Sequence, residues 1–128
     1  MNVTFEGKAK VIARFEGFKV ATDLSEALGG EGTSLNPFQV FLTSVACCSG
    51  LFARQFLEKH AIEVSDKRIE LSFDLDAHSD LKKVKVKAFV GKDFPAEMET
   101  ALINTMKACK VKKHLDPKIV FDYAIVME

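Results

Sequence analysis

From Asn36 to about His60 the chain reads as a helix whose early turns are apolar around almost the whole circumference, and no other feature constrains the fold as strongly. Phe41, Val45, Cys48, Phe52 and Phe56 recur at helical spacing, while Val40, Ala46 and Leu51 widen the apolar sector. Such a helix has to be covered on most sides. Its start is spelled out by Asn36 as N-cap, Pro37 at the first helical position and Gln39 three residues after the cap, a variant of the capping box. Charges enter only toward its end, at Arg54, Glu58, Lys59 and His60, where basic groups suit the negative end of the helix dipole.

The segments that must supply the cover read as strands and a second helix. VTFEGKAKVIARFE followed by GFKVATD places β-rich runs around Glu16 and Gly17, which predicts two antiparallel strands. Leu24 to Leu35 is loop-like; its GGEGTS is no phosphate loop, since no G-K-[ST] follows and no hydrophobic strand leads directly into it, leaving a flexible lid or a connector. Beyond the helix, Ile69, Leu71, Phe73 and Leu75 alternate with polar residues, as do Val84, Val86, Ala88 and Val90. Two half-buried antiparallel strands joined around Ser79 and Asp80 follow, each with one face on a helical layer. Asp93, Phe94 and Pro95 open a second helix that carries Met98, Leu102, Thr105, Met106 and Cys109 and ends near His114; Asp116 and Pro117 break it, and KIVFDYAIVME closes as a strand. The order ββ-α-ββ-α-β predicts an α+β fold, an antiparallel sheet on two main helices, in one domain spanning residues 1–128.

Composition narrows the partners. Lys plus Arg number 18 and Asp plus Glu number 18, with no basic stripe interleaved by aromatics, so nucleic acid is not an expected partner. No positively charged start precedes an apolar run and the chain is expected to hold no apolar stretch of about twenty residues, so neither export nor membrane insertion is expected and the cytoplasm is the expected compartment. Eleven Phe, no Trp and the single Tyr123 suit a dry core or dry pocket rather than a base-stacking platform.

Three cysteines carry the candidate chemistry. Cys47 and Cys48 are adjacent in the long helix, and Cys109 lies in the second. A disulfide between neighbours strains the intervening peptide, so a productive pair joins Cys47 or Cys48 to Cys109, and in a reducing compartment a reversible pair is expected rather than a permanent one. Cys48 sits roughly three turns into its helix, too deep for the N-terminal dipole, so a thiolate there calls for a cation. Of Arg14, Arg54 and Arg68, Arg14 at the end of the first strand is the candidate. Metal binding by Cys47, Cys48, Cys109 and a histidine is disfavoured, because adjacent helical cysteines diverge; His60 and His114 lie near helix ends and His78 in the strand connection. No metal and no cofactor is expected.

SLNPFQVFLTSVACCSG resembles the N-P-x-x-x-(apolar)-A-x-C helix of the OsmC/Ohr family, the osmotically inducible and organic hydroperoxide resistance proteins, and KACKVKKHL resembles that family's second-cysteine helix. In the family the reactive cysteine follows the helix-opening proline by eleven positions, which falls on Cys48. The resemblance therefore implies an OsmC-like fold, an intertwined homodimer, Cys48 as peroxidatic thiol and Cys109 as resolving thiol, with Cys47 an extra. It implies a thiol peroxidase that reduces organic hydroperoxides and is reset by a dithiol reductant. Against that pattern, Phe38 and Gln39 stand where family peroxidases carry the glutamate that holds the arginine. The alternative function is a non-catalytic OsmC-like protein that senses oxidation or binds an apolar ligand.

Overall fold

The computed structural model describes all residues from Met1 to Glu128. The chain divides within its long helix into two compact units, Met1–Thr43 and Ser44–Glu128.

In the first unit, β1 (Asn2–Glu6), β2 (Lys10–Phe15) and β3 (Phe18–Thr22) form an antiparallel sheet with β2 in the middle. Two strands were expected here and three are present. The run VTFEGKAKVIARFE is itself a hairpin, folded at Gly7, whose φ of +55° is the left-handed conformation that spares a glycine the steric cost of a side chain. Glu16 and Gly17, at φ of 49° and 83°, make the second turn in the two-residue form that matches strand twist.

The glycine-rich connector after β3 is pinned by one carboxylate. Asp23 is 1% exposed, and it accepts hydrogen bonds from the backbone N–H groups of Leu24 (2.8 Å) and Thr33 (3.1 Å), from the Thr33 hydroxyl (2.9 Å) and, less closely, from the N–H of Glu31 (3.3 Å). Gly30 is buried in the same turn, where a Cβ would stand 2.0 Å from the Leu24 carbonyl oxygen, so no other residue fits. The donors, led by the Thr33 N–H, outweigh the burial of the carboxylate and hold Asp23 down from 3.8 to about 2.

The helix α1 (Pro37–Lys59) opens with the expected box, in which the Gln39 N–H donates to Asn36 Oδ1 and the Asn36 N–H donates to Gln39 Oε1, both at 2.9 Å. Leu42, Val45, Ser49, Ala53, Phe56 and Leu57 form one buried stripe along it. The expected burial on most sides is not reached within one chain, since Cys47 is exposed and Leu51 is 54% exposed on the opposite face. By length and composition α1 would also pass for a membrane span, with a third of its most apolar window buried. That corrects the expectation that no such stretch exists: Thr43, Ser44, Ser49 and Gly50 interrupt the apolar run without lowering its average enough.

In the second unit, β4 (Arg68–Leu75), β5 (Leu81–Val90) and β6 (Val120–Met127) form a sheet with β5 in the middle. β4 and β5 are antiparallel, as expected, but β6 lies parallel to β5, so the sheet is mixed rather than antiparallel. A parallel neighbour needs a crossover, and the segment carrying α2 (Glu99–Lys107) provides it. The order is therefore βββ-α-ββ-α-β, still α+β. Val84, Val86, Ala88 and Val90 are buried along one face of β5, and Leu102 and Met106 of α2 are fully buried. The other face carries solvated ion pairs, Lys85 to Asp74 at 2.8 Å and Lys83 to Asp122, which contribute little to stability.

Because the lowered pKa of Asp23 means the folded state holds its proton less tightly than the unfolded one, its contribution is complete above about pH 4 and is lost as the pH falls through about 2. Asp23→Asn is expected to lower the melting temperature at neutral pH and to flatten its acid dependence in that window. Thermal unfolding followed by circular dichroism from neutral pH downward tests this, and an unchanged acid limb would show that another group controls it.

Candidate functional site

The site is made by the place where α2 stops. Cys109 was expected inside a helix, but α2 ends at Lys107, and the Cys109 N–H closes a tight turn onto the Met106 carbonyl at 3.1 Å. A short 3-10 turn, Lys112–His114, follows. Had the helix continued, the N–H groups of Lys110, Val111 and Lys112 would have been spent on its own carbonyls. Instead they face sulfur: Lys110 and Val111 donate to Cys48, and Lys112 donates to Cys109 Sγ at 3.4 Å.

The two thiols that the sequence nominated are thereby brought together. Cys48 projects from the fourth turn of α1, partly accessible, and Cys109 is fully buried against it. Cys47, one step around α1, is exposed, and all three are free thiols. Burial pushes Cys48 upward, but the Val111 N–H, the Cys109 thiol and the Lys110 N–H, all donating to its sulfur, outweigh that and bring it below the ordinary thiol value. Cys109 moves the other way. Burial raises it, the Lys112 N–H pulls it down, and its hydrogen bond and charge interaction with Cys48 raise it again. Of the two, Cys48 is therefore the thiol that gives up its proton first, and Cys109 the one that keeps it.

Two further groups reach this pair. Ser49, fully buried on α1, lies beside Cys109 and beside Tyr123, which β6 presents in register with Val86 of β5. Burial first, then the charges at Cys109 and Cys48, push the Tyr123 hydroxyl up to about 12, so it remains a neutral donor. Neither the Ser49 nor the Tyr123 oxygen has a hydrogen-bond partner of good geometry.

Arg14 sits on β2 in the first unit, half-exposed, with Nη1 donating to Thr4 Oγ1 at 2.7 Å and Nη2 3.8 Å from Glu6. The Gln39 carbonyl is committed to the cap of α1, and Phe38 stacks on Phe41 with centroids 5.9 Å apart. The second unit also holds a cavity of about 200 Å³ under Gly50, Ala53, Leu57, Ile69, Ala88 and Leu102, away from the thiols. Its rim cations are engaged, Arg54 by Glu58, Lys67 by Asp66 and Arg68 by Glu70 and Glu128. No group of three or more His, Cys, Asp or Glu is placed to hold a metal ion.

Sequence reasoning found both thiols and missed the amides, Ser49 and Tyr123. The run KACKVKKHL carries no proline or glycine to announce that the helix stops, so the freed N–H groups left no signal. Ser49 could have been singled out as a hydroxyl one residue from a nominated thiol.

An α+β chain with one thiol on a central helix and a second in the turn after the crossover helix defines a recognisable class. Residues 30–124 match the OsmC family, described as OsmC-like protein, and the chain belongs to that family. No protein of curated function matches it. Among solved structures it is similar to a Psychrobacter arcticus protein provisionally described as an osmotic stress induced and detoxification response protein, with a TM-score of 0.82, 20% identity and 97% and 93% of the two chains covered. It is also similar to an OsmC-like protein from Mycoplasma pneumoniae (TM-score 0.78, 10% identity, 98% and 94% covered). An organic hydroperoxide resistance protein OsmC from Legionella pneumophila has a TM-score of 0.66 at 18% identity, with 98% and 94% covered. At these identities the likeness is one of fold.

Iodoacetamide labelling of the reduced protein, read by peptide mass against pH, should modify Cys48 at a pH where Cys109 is still protonated. The midpoint of the Cys48 rate profile should lie below the ordinary thiol value. A Cys48 profile centred at or above that range would contradict the assignment of the thiolate.

Proposed function

We propose that this protein is a cysteine-based peroxidase that reduces organic hydroperoxides in the cytoplasm, with Cys48 as nucleophile and Cys109 as resolving thiol. The observation that carries this reading is the convergence of a partly accessible Cys48 on three sulfur-directed donors, with a proton-bearing Cys109 in hydrogen-bond contact. The Cys48 thiolate attacks the distal oxygen of the hydroperoxide; the O–O bond breaks, the alkoxide takes up a proton to leave as an alcohol, and Cys48 becomes a sulfenic acid. Cys109 then attacks that sulfur, forming the disulfide and releasing water. A dithiol reductant restores both thiols and is itself oxidised to a disulfide. The reversible pair suits a reducing compartment.

The substrate class follows from the apolar surroundings. Phe41 and Phe52 flank Cys48 along α1 at helical spacing, and each methylene of a substrate tail buried among apolar groups gains about 0.8 kcal/mol. Organic names among the solved relatives, such as the Legionella organic hydroperoxide resistance protein, agree with that preference.

A homodimer is part of the proposal. Phe5 is 83% exposed, Phe18 79% and Leu28 70%, and α1 keeps an apolar face open at Leu51. A second copy of the chain is the proposed cover. Arg14 is the proposed additional activating cation, as the family resemblance implies.

Reduced protein mixed with one equivalent of cumene hydroperoxide is expected to consume it rapidly and to yield a Cys48 to Cys109 disulfide on peptide mapping, whereas Cys48→Ser consumes none above background. If Arg14 is the activating cation, Arg14→Ala is expected to slow consumption by about tenfold or more, the effect of losing a charge worth at least one pKa unit. Light scattering should report twice the 14.2 kDa chain mass. Wild-type protein that leaves cumene hydroperoxide untouched would move the function to sensing or ligand binding.

A further inference from the structure

The least explained groups in the second unit are two hydroxyls. Ser49 is 0% exposed, and its Oγ has no hydrogen-bond partner of good geometry; the same holds for the buried Tyr123 Oη. A buried hydroxyl without a partner forfeits its solvation and gains nothing, so such groups are rare in the absence of another role. Ser49 lies within reach of both Cys109 and Tyr123, and Tyr123 lies within the field of Cys109. They come from different elements, α1 and β6, so one local irregularity does not explain both.

We infer that Ser49 and Tyr123 are positioning residues for the Cys109 sulfur, two hydroxyl donors left uncommitted at rest and engaged when that sulfur carries negative charge. The inference rests on the proposal that Cys48 and Cys109 form a redox pair. At rest Cys48, the more acidic of the two, already has the N–H groups of Lys110 and Val111 and the Cys109 thiol, while the one donor of good geometry on Cys109 is the Lys112 N–H. Charge reaches Cys109 twice in the cycle. When Cys109 attacks the Cys48 sulfenic acid, the S–S bond forms, the S–O bond breaks, and the departing hydroxide takes the Cys109 proton to become water. When the dithiol reductant attacks Cys48 in the disulfide, Cys109 leaves as a thiolate. In both steps a single backbone N–H is a thin complement for a buried anion, and rotation of two hydroxyls supplies two more donors without moving the chain.

The titratable and charged groups around Cys109 are Cys48 on α1, Tyr123 on β6, and Lys107 and Lys112, whose ammonium groups lie 6.0 Å and 5.5 Å from the Tyr123 ring centroid. The lysines stay in every variant tested. In a background of Cys47→Ser and Cys48→Ser, where Cys109 is the only thiol, its ionisation is followed by ultraviolet thiolate absorbance. Ser49→Ala and Tyr123→Phe are each expected to raise the Cys109 midpoint by about one pH unit, the loss of one hydrogen bond to an ionised sulfur. Because the hydroxyls are unpartnered at rest, both variants should unfold at a temperature no lower than the background protein. In the three-thiol protein, one equivalent of cumene hydroperoxide should be consumed at the wild-type rate, with the Cys48 sulfenic acid trapped by dimedone persisting about tenfold longer.

An unshifted Cys109 midpoint in both variants overturns the inference. A clear loss of thermal stability in both, with no shift, would make the hydroxyls structural and overturn it equally. The titration requires no turnover, so a protein that fails to reduce hydroperoxide would sink the peroxidase reading while the role of Ser49 and Tyr123 is still decided.

Discussion

A thiolate in a protein interior is a balance between desolvation, which opposes it, and donors aimed at the sulfur, which favour it. Here the balance is struck by the end of α2. Stopping at Lys107 frees three successive backbone N–H groups, and two of them, from Lys110 and Val111, point at Cys48 on α1. Burial is the largest single influence on Cys48 and acts against ionisation, yet the donors together overcome it. Everything else about the pair follows from that asymmetry. Cys48, the partly accessible sulfur, is thereby made the more acidic of the two, and the fully buried Cys109 the less acidic.

Backbone amides differ from an arginine as the source of this stabilisation. Their dipoles are fixed by the chain path and cannot swing away into solvent as a long side chain can. Family peroxidases, as the resemblance implies, hold an arginine with a glutamate. This chain offers Phe38 and Gln39 at those positions, and the Gln39 carbonyl closes the cap of α1. A turn of N–H groups that, together with the Cys109 thiol, already lowers Cys48 makes the missing glutamate less costly. Arg14 is bonded on its own hairpin to Thr4.

How much of this was legible in the sequence depends on the type of signal. Periodicity is strong in α1 and in β5, and both lie where the alternation of apolar residues placed them. The Asn36, Pro37 and Gln39 cap was readable because each residue type has one dominant role at a helix start. The extra strand β1 was not, because Gly7 alone marks the turn between two runs of similar composition. The parallel course of β6 was hidden because strand direction is set by the crossover and not by the residues of the strand. Cys48 and Cys109 could be nominated from cysteine spacing and family resemblance, but their electrostatics could not. These depend on where a lysine-rich run with good helix formers stops being a helix, and propensity is silent on that point.

The same logic separates the two kinds of buried polar group in this chain. Asp23 collects donors from Leu24, Glu31 and Thr33, and its satisfied carboxylate organises a glycine-rich connector that composition alone marks as loose. Its charge is constant over the neutral range, so its donors are permanently engaged. Ser49 and Tyr123 are the opposite case, buried hydroxyls with no bond at rest beside a sulfur whose charge would change during a redox cycle. A group serving a permanent charge gains from being fully bonded in the ground state. Donors serving a transient charge act on rate only if their bonds are stronger in the charged state than at rest, and leaving them unpaired at rest maximises that difference.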